Sequence, residues 1–361
     1  MANWKSAMET MVNFWKNKKV LITGHTGFKG SWLTLLLHYL GAEVIGVSLD
    51  PPSEINLFTL ANIAPCLAFD YRENICNFAK LQEIFRNTQP EIVFHLAAQS
   101  LVRYSYDFPL ETYSTNIMGT VNVLEAAKNC ETVKAIVNVT TDKCYDNKEW
   151  HWGYREIDPV GGVDPYSSSK ACSELVTNAY RDSYFKSRNI GVASARAGNV
   201  VGGGDWAKDR LIPDIINSCI SNTPLQIRYP NSIRPWQHVL EPLCGYLNLA
   251  CELYKDPQNF SEAWNFGPVI NDNKQVHWIV KEVVKIWDES LEMNVVSLSE
   301  QAHESTFLKL DCSKALSRLD WQPKWGIDQT LKATVDWYKA FHEDQNMKSF
   351  TQKQILDYLD S

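Results

Sequence analysis

Short runs of β-branched and apolar residues alternate with longer amphipathic segments from residue 19 onward. This alternation is typical of a parallel sheet that carries helices on both faces. The pattern therefore predicts an α/β fold with a doubly wound parallel sheet. The predicted strands are 20–23, 43–47, 66–69, 92–95, 135–139 and 190–195. The predicted helices are 30–39, 75–87, 109–129 and 165–187.

The alternation ends near residue 198, where a glycine run at 202–204 precedes a short strand-like segment at 225–228 and several helices. No long linker separates the two halves. We predict a main domain over 1–198 and a smaller α/β substrate lobe over 199–361, with some chain returning to the main domain. Such a lobe covers the carboxyl edge of the sheet, where ligands bind in these folds.

Composition narrows the class of protein. The chain has 361 residues, 45% of them hydrophobic and 21% charged, as expected of a folded globular protein. Its net charge of -7 argues against nucleic acid or an anionic membrane as partner. We find no secretory signal pattern and no apolar run long enough to span a bilayer. The nine irregularly spaced cysteines predict reduced thiols in a cytoplasmic protein, without a metal site.

A glycine-rich turn follows the first predicted strand and opens a helix. Gly24, Gly27 and Gly30 permit a tight turn and close approach of the backbone to a pyrophosphate at the helix amino terminus. Asp50, twenty residues after Gly30, is placed to bind the adenosine ribose, and no arginine beside it favours a 2′-phosphate. The turn alone also fits an ordinary strand-to-helix connection, and Asp50 fits a turn before two prolines. Together they predict an NAD-binding Rossmann domain over 1–198.

Tyr166 and Lys170 lie four residues apart on a predicted helix, so both side chains reach one cavity. A tyrosine with a pKa of about 10 is a poor base at neutral pH, but an adjacent ammonium and a nicotinamide cation stabilise its phenolate. Tyr166 is then the group that takes a hydroxyl proton, and Lys170 also holds the nicotinamide ribose. The same spacing occurs by chance in many helices, so the pair alone does not establish catalysis.

These motifs occur in order over residues 19–237, together with a His-Leu-Ala-Ala-Gln segment at 95–99 and Asn116. In this respect the chain resembles the extended short-chain dehydrogenase/reductase family. The resemblance implies NAD as cofactor, and it places Asp70 at the adenine amino group, although Asp70 also fits a helix cap. The implied cofactor contacts are Gly24, His25, Gly27, Phe28, Lys29, Gly30, Asp50, Asp70, Leu96, Ala97, Ala98, Asn116, Tyr166 and Lys170.

The end of the fifth predicted strand carries Thr141, Asp142 and Lys143. A hydroxyl followed by two ionisable groups resembles the nucleotide-hexose 4,6-dehydratases more than the epimerases. Those enzymes oxidise the sugar at C4, remove water across C5 and C6, and return the hydride to C6. The resemblance implies that Thr141 binds the substrate hydroxyl and that Asp142 is the acid for the C6 hydroxyl. A dry pocket favours that acid by raising its pKa.

Lys143 stands where the dehydratases of dTDP-glucose carry a glutamate base. It is either the C5 base in its neutral form, or an electrostatic stabiliser of the enolate while another group moves the proton. This departure is similar to the branch that acts on CDP-glucose, as are the segments 24–30, 49–52, 95–103, 140–145, 195–206, 233–239 and 319–325.

The branch implies conversion of CDP-glucose to CDP-4-keto-6-deoxyglucose and water, in deoxysugar biosynthesis for lipopolysaccharide O-antigen. The alternatives are a dTDP- or GDP-hexose 4,6-dehydratase, a sugar-nucleotide 4-epimerase, and a non-catalytic NAD-binding regulatory protein. Epimerisation needs neither a C5 base nor an acid, and a non-catalytic relative usually lacks the tyrosine or the lysine.

Four residues are candidates for the sugar nucleotide. In the family, Asn199 and Arg234 contact the diphosphate, a role suited to the guanidinium fork. Arg210 is assigned to the nucleotide and Arg103 to the sugar. A salt bridge remains the alternative for Arg234, and a structural role remains the alternative for Arg103. Packing, not catalysis, is predicted for His238.

The side chains of His25 and Lys29 either add a contact to the pyrophosphate or crowd the cofactor. We expect them to crowd it and to weaken its binding, because the turn works through close backbone approach. The helices predicted at 109–129 and 165–187 form a four-helix interface in many relatives, so a homodimer or a dimer of dimers is expected. Four of the 13 tryptophans are expected beside the site: Trp150, Trp152, Trp206 and Trp236.

Overall fold

A computed structural model describes residues 12–287, 292–295 and 306–361. Its centre is a seven-stranded, wholly parallel sheet in the order β11-β6-β5-β4-β1-β2-β3. Short two-stranded pairs in the lobe contain the other strands. The strands are β1 Lys19–Thr23, β2 Glu43–Ser48, β3 Phe69–Arg72, β4 Ile92–His95, β5 Ala135–Val139, β6 Gly191–Ala197, β7 Val200–Val201, β8 Leu225–Ile227, β9 Ile233–Pro235, β10 Gln237–His238, β11 Ala263–Phe266, β12 Asn273–Gln275 and β13 Met293–Val295.

The predicted doubly wound α/β fold is confirmed, with two differences in the sheet. The third strand was predicted at 66–69, but Ala64–Cys66 forms a 3₁₀ turn and the strand begins at Phe69. The sequence also gave no indication of β11, which pairs with β6 through Ala263 and Ser194. Because β11 follows residue 198, chain from the second half completes the edge of the main sheet.

Helices cover both faces of the sheet. The segment predicted as one helix at 109–129 contains a π-helical turn, Ser114–Met118, and the one at 165–187 ends in the π-helical turn Arg181–Phe185 and the 3₁₀ turn Lys186–Arg188. The α-helices are α1 Phe28–Tyr39, α2 Leu57–Leu60, α3 Phe78–Thr88, α4 Val102–Asp107, α5 Pro109–Tyr113, α6 Gly119–Lys128, α7 Pro165–Tyr180, α8 Leu211–Ser221, α9 Leu240–Lys255, α10 Pro257–Phe260, α11 Val276–Trp287, α12 Ser313–Leu319, α13 Ile327–His342 and α14 Met347–Leu359.

Two apolar layers enclose the sheet. One contains Trp32 of α1 and Leu247 of α9, and the other contains Phe85 of α3 and Leu124 of α6. Both faces of β5 are buried, which explains why four of its five residues are apolar. The exception, Asn138, donates hydrogen bonds to Ser173 Oγ and Thr177 Oγ1. None of the nine cysteines forms a disulfide. Among the described residues, no helix combines the length and apolar character that a bilayer crossing requires.

Two buried histidines predict how the stability of this core depends on pH. Burial lowers the pKa of His95 and of His238 to about 3 each. In the unfolded chain each histidine binds a proton with a pKa of about 6.5, whereas in the folded chain it stays neutral down to about pH 3. The free energy of unfolding therefore falls as the pH drops below about 6.5. We expect each histidine to cost about 2 kcal/mol between pH 6.5 and 5.

Thermal unfolding between pH 5 and 8 measures this loss. His238→Gln is expected to flatten the dependence of Tm on pH, whereas His38→Gln, at an exposed position, leaves it unchanged. Equal slopes for the wild type and His238→Gln would contradict the assignment.

Candidate active site

A cavity of about 900 Å³ lies at the carboxyl ends of the central strands. The turn after β1, the ends of β2, β4 and β5, and the start of α7 contribute residues from the main domain. The lobe contributes segments 197–214, 225–229 and Arg234. The site is therefore formed where the lobe covers the sheet edge, as the sequence predicts.

The glycine-rich turn has the shape that a dinucleotide requires. Gly24 has φ +80°, and a Cβ there would meet Ala97 N at 2.8 Å. A Cβ on Gly30 would meet Gly24 O at 2.1 Å, whereas one on Gly27 would meet only Gly24 O at 3.4 Å. Gly24 and Gly30 thus permit close packing, and the backbone at Gly27 stays open beside the amino terminus of α1. The residues present fit a pyrophosphate at this point.

The end of β2 is polar and faces the same cavity. Asp50 lines it, and its contact with the ribose stays a prediction. Sequence reasoning missed Arg72, which β3 brings beside Leu49. Arg72 pairs with Asp70 at 2.8 Å and stacks over Phe58 at 4.7 Å. The guanidinium of Arg72 is therefore paired with the carboxylate of Asp70.

His25 and Asp70 were both predicted as cofactor contacts, but neither side chain lines the cavity. The His25 ring is fully buried against Gly46 and Phe58, and its Nε2 lies 2.9 Å from Asp70 Oδ1. The expectation that His25 crowds the cofactor is therefore wrong, because the ring packs against β2 instead of the pyrophosphate site. His25 and Asp70 fix the base of the turn.

Lys29 has the opposite placement and enters the cavity. Burial lowers its pKa to about 8, and the positive charge of Arg210 acts in the same direction while Asp142 opposes it. The charge of Lys29 therefore interacts with those of Arg210 and Asp142 in the same cavity. Four other predicted cofactor contacts also line the cavity: Phe28, Leu96, Ala97 and Ala98.

Asn116 lies in the π-helical turn behind the cavity wall, and its side chain does not line the cavity. Its Oδ1 accepts a hydrogen bond from Gln99 N at 2.9 Å, and its Nδ2 donates to Gln99 O and to Ser169 Oγ at 2.9 and 2.8 Å. Asn116 was predicted to contact the cofactor directly, but its side chain lies behind the cavity wall and positions neighbouring residues instead. Asn116 joins the loop after β4 to α7.

Helix α7 presents the tyrosine and the lysine to the cavity. It begins at Pro165 because Asp164 caps it, accepting a hydrogen bond from Ser167 N at 2.8 Å. Burial raises the pKa of Tyr166 to about 12, against a hydrogen bond with Thr141. Burial lowers the pKa of Lys170 to about 8. The chain alone thus keeps the phenol neutral and brings the lysine close to its titration range.

The end of β5 places the predicted dehydratase residues opposite α7. Thr141 Oγ1 donates to Asp142 Oδ1 at 2.9 Å, while Asp142 Oδ2 is buried and finds no hydrogen-bond partner in the part of the chain that the structure describes. Burial raises the pKa of Asp142, although the charge of Lys143 opposes the rise. The half-buried Lys143 lines the same cavity. A buried carboxyl with one free oxygen matches a group that donates a proton to a ligand.

The predicted substrate residues all line the cavity: Arg103, Asn199, Arg210 and Arg234. Arg234 is only 3% exposed and donates to Ile233 O at 3.0 Å, so its guanidinium is held inside the cavity wall. Arg210 pairs with Asp205 at 2.8 Å. Arg103 pairs with Asp209 at 3.2 Å.

Arg228, which sequence reasoning missed, also lines the cavity and pairs with Asp209 at 2.8 Å. It directly follows β8 in the sequence Leu-Gln-Ile-Arg. The period-two pattern of that strand was the available signal for its placement.

Two of the four expected tryptophans, Trp206 and Trp236, line the cavity. Trp150 and Trp152 do not: their rings lie 5.1 Å apart, and Trp152 is 61% exposed. Their position in the loop after β5 had suggested proximity, and Asn147 and Glu149 of that loop do line the cavity, but the two indole rings do not. His238 is buried between Trp32 and Trp325, which agrees with the packing role predicted for it.

Comparison with known proteins extends these observations. A family model described as GDP-mannose 4,6 dehydratase matches residues 21–334. The CDP-glucose 4,6-dehydratase of Salmonella typhimurium is 51% identical, over 96% of this chain and 98% of that protein. The dTDP-glucose 4,6-dehydratase of Haemophilus influenzae is 28% identical, over 88% of this chain and 97% of that protein.

Among solved structures, a dTDP-glucose 4,6-dehydratase from Bacillus anthracis in complex with NAD superimposes with a TM-score of 0.76. The match has 24% identity and covers 92% of this chain and 99% of that one. This likeness establishes a shared fold over nearly the whole chain.

Proposed function

This chain belongs to the GDP-mannose 4,6-dehydratase family, and on that premise we propose that it is a lyase that converts CDP-glucose to CDP-4-keto-6-deoxyglucose and water. The observation that carries the proposal is the 51% identity, over nearly the full length of both chains, to a CDP-glucose 4,6-dehydratase. The arrangement of Thr141, Asp142 and Lys143 opposite Tyr166 agrees with it. We place the product in deoxysugar biosynthesis for lipopolysaccharide.

NAD is the cofactor, and when bound it supplies the hydride acceptor and donor for the sugar. The turn at 24–30 holds the pyrophosphate through backbone N–H groups at the start of α1. Asp50 binds the adenosine ribose, and Lys170 binds the nicotinamide ribose. We accordingly assign NAD binding to a domain over 1–198 and the nucleotide sugar mainly to a lobe over 199–361, from which β11 returns to the main sheet.

The side chains divide the proton transfers among themselves. Tyr166, hydrogen-bonded to Thr141, takes the proton of the C4 hydroxyl as that carbon is oxidised. A C4 ketone acidifies the C5 proton, and we place Lys143 on that side of the sugar, either as base or as stabiliser of the enolate. Asp142 protonates the departing C6 hydroxyl, a role that its buried, unpartnered oxygen supports.

The lobe binds the nucleotide diphosphate. In a chain of net charge -7, its two negative charges need local cations. We assign them to Arg234, with Asn199 beside it, and to Arg210. Arg103, in the first turn of α4, orients the sugar.

A substrate panel tests the activity. Purified protein with NAD is incubated with glucose linked to CDP, dTDP, UDP or GDP, and the 4-keto-6-deoxy product is measured. We expect product from CDP-glucose at a rate at least about tenfold above the others, a difference of about 1.4 kcal/mol in the barrier. Product only from another nucleotide, a C4 epimer, or no product at all would overturn the proposal.

We also propose that the protein is a homodimer or a dimer of dimers through the faces of α5 to α7. Three apolar side chains on this surface are exposed: Leu110 by 86%, Met118 by 52% and Leu175 by 56%. Light scattering after gel filtration is expected to give a mass of two or four chains, and Leu110→Glu/Leu175→Glu to give one. A monomeric wild type would contradict this interface.

We also propose a cytoplasmic location. The nine cysteines, none of which forms a disulfide, agree with a reducing compartment.

A further inference from the structure

Successive turns of α7 contact the end of β5. After the turn that carries Tyr166, Lys170 Nζ donates to Val139 O at 3.0 Å, and Glu174 accepts a hydrogen bond from Thr140 Oγ1. Tyr166, Lys170 and Glu174 are spaced by four residues and lie on one face of the helix. The first two belong to the proposed chemistry. Glu174 is a buried carboxylate to which that chemistry gives no role.

Glu174 is fixed from two further directions. Its side chain is fully buried, and its Oε2 accepts hydrogen bonds from Ser194 Oγ at 2.6 Å and Arg196 Nη2 at 2.9 Å. Burial opposes ionisation, but the charge of Arg196 and these hydrogen bonds hold the pKa of Glu174 below its usual range. Arg196 in turn donates to the hydroxyl of Tyr145, a cavity residue, at 2.9 Å. Glu174 is therefore a charged group of defined position directly behind the site.

We propose that Glu174 is a positioning residue of this active site, which fixes Thr140 and the end of β5 against α7 and supplies the counter-charge of Lys170. The inference rests on the proposed function, because it takes the end of β5 and Lys170 as parts of the catalytic site. Two separate consequences follow, one for geometry and one for charge.

The geometric consequence concerns Thr141, the neighbour of Thr140. Loss of the Thr140 hydroxyl releases β5 from Glu174, and a displacement of about 1 Å at a reacting group costs up to about 100-fold in rate. The electrostatic consequence concerns Lys170. Burial lowers its pKa to about 8 while the charge of Glu174, one helical turn away, acts in the opposite direction. Without Glu174 the lysine loses its proton at lower pH.

Thr140→Val tests the geometric consequence. We expect kcat on CDP-glucose to fall about 10- to 100-fold with KM within about twofold. Thr140→Ser keeps the hydroxyl and restores the wild-type rate. Ser194→Ala is the matched control, because it removes one hydrogen bond from the same carboxylate but none from β5, and kcat stays within about twofold. Equal rates for Thr140→Val and Ser194→Ala would overturn the geometric role.

Glu174→Gln tests the charge without using turnover. Trace acetylation of Lys170 is followed by mass spectrometry as a function of pH, since the lysine faces the cavity. We expect the midpoint to fall by about one pH unit or more relative to the wild type. Ser194→Ala keeps the midpoint unchanged. An unchanged midpoint in Glu174→Gln would overturn the counter-charge role.

A second variant covers the case in which the unpaired Arg196 prevents folding. Glu174→Gln/Arg196→Met removes both members of the buried pair, which proteins often tolerate, and it is expected to lower the labelling midpoint in the same direction. A midpoint at the wild-type value in this variant would overturn the proposal as well. A wild-type protein inactive on every nucleotide sugar would contradict the proposed function, whereas the labelling result would still decide the role of Glu174.

Discussion

Replacing Tyr166 with phenylalanine is expected to lower kcat on CDP-glucose by about 10³-fold, with KM little changed. The substitution removes one oxygen from a buried ring and leaves its packing in place. That oxygen is the proton acceptor for the C4 hydroxyl, and loss of a general base costs about 10²- to 10⁴-fold. Because the lost step is the first one, no reduced cofactor is expected to form in single-turnover absorbance measurements.

Tyr180→Phe is the matched control. Tyr180 is the last residue of α7, its hydroxyl donates to Glu125 at 3.1 Å, and neither residue lines the cavity. Loss of this hydroxyl is expected to leave kcat unchanged. A Tyr166→Phe enzyme that retains more than about a tenth of the wild-type kcat would assign the C4 proton to another group.

Asp142→Asn is expected to separate the first step from the second. The amide has the size of the carboxyl group but no acidic proton, so the C6 hydroxyl no longer leaves readily. We expect overall turnover to fall about 10²- to 10⁴-fold, while oxidation at C4 continues. Reduced cofactor and a 4-keto sugar that retains its C6 hydroxyl then accumulate, which absorbance and mass spectrometry detect together.

Asp182→Asn controls for the loss of a carboxylate charge away from the cavity. Asp182 lies 3.6 Å from Arg181, its side chain is 70% exposed, and it does not line the cavity. Turnover within about twofold of the wild type is expected, as for most exposed ion pairs. If Asp142→Asn abolished cofactor reduction as well, Asp142 would act in the oxidation itself and the assignment of the acid would be wrong.

Local sequence predicted the parts of the site that depend on local structure. The end of β5 and the start of α7 are set by a buried apolar strand and by a capped helix, so the positions of Asp142 and Tyr166 followed from the chain itself. The direction of a side chain within a turn is set by the packing around it. His25 was therefore misplaced, because its burial depends on Gly46 of the neighbouring strand.

Long-range contacts explain the other omissions. β11 is a four-residue strand whose partner β6 lies about seventy residues earlier, and its local sequence did not distinguish it from a loop. Glu174 follows Lys170 by four residues, which the sequence shows. Its negative charge, however, is stabilised by Arg196 of β6, a contact that local sequence does not reveal. Arg72 likewise reaches Leu49 only because β3 pairs with β2.

The central claim is that one active site oxidises C4, eliminates water and returns the same hydride to C6. Incubation of the wild-type protein and NAD with CDP-glucose that carries deuterium at C4, in ordinary water, tests it directly by NMR. We predict CDP-4-keto-6-deoxyglucose with the deuterium at C6 and a solvent hydrogen at C5. Deuterium retained at C4 of an epimer, or lost to solvent, would contradict the account.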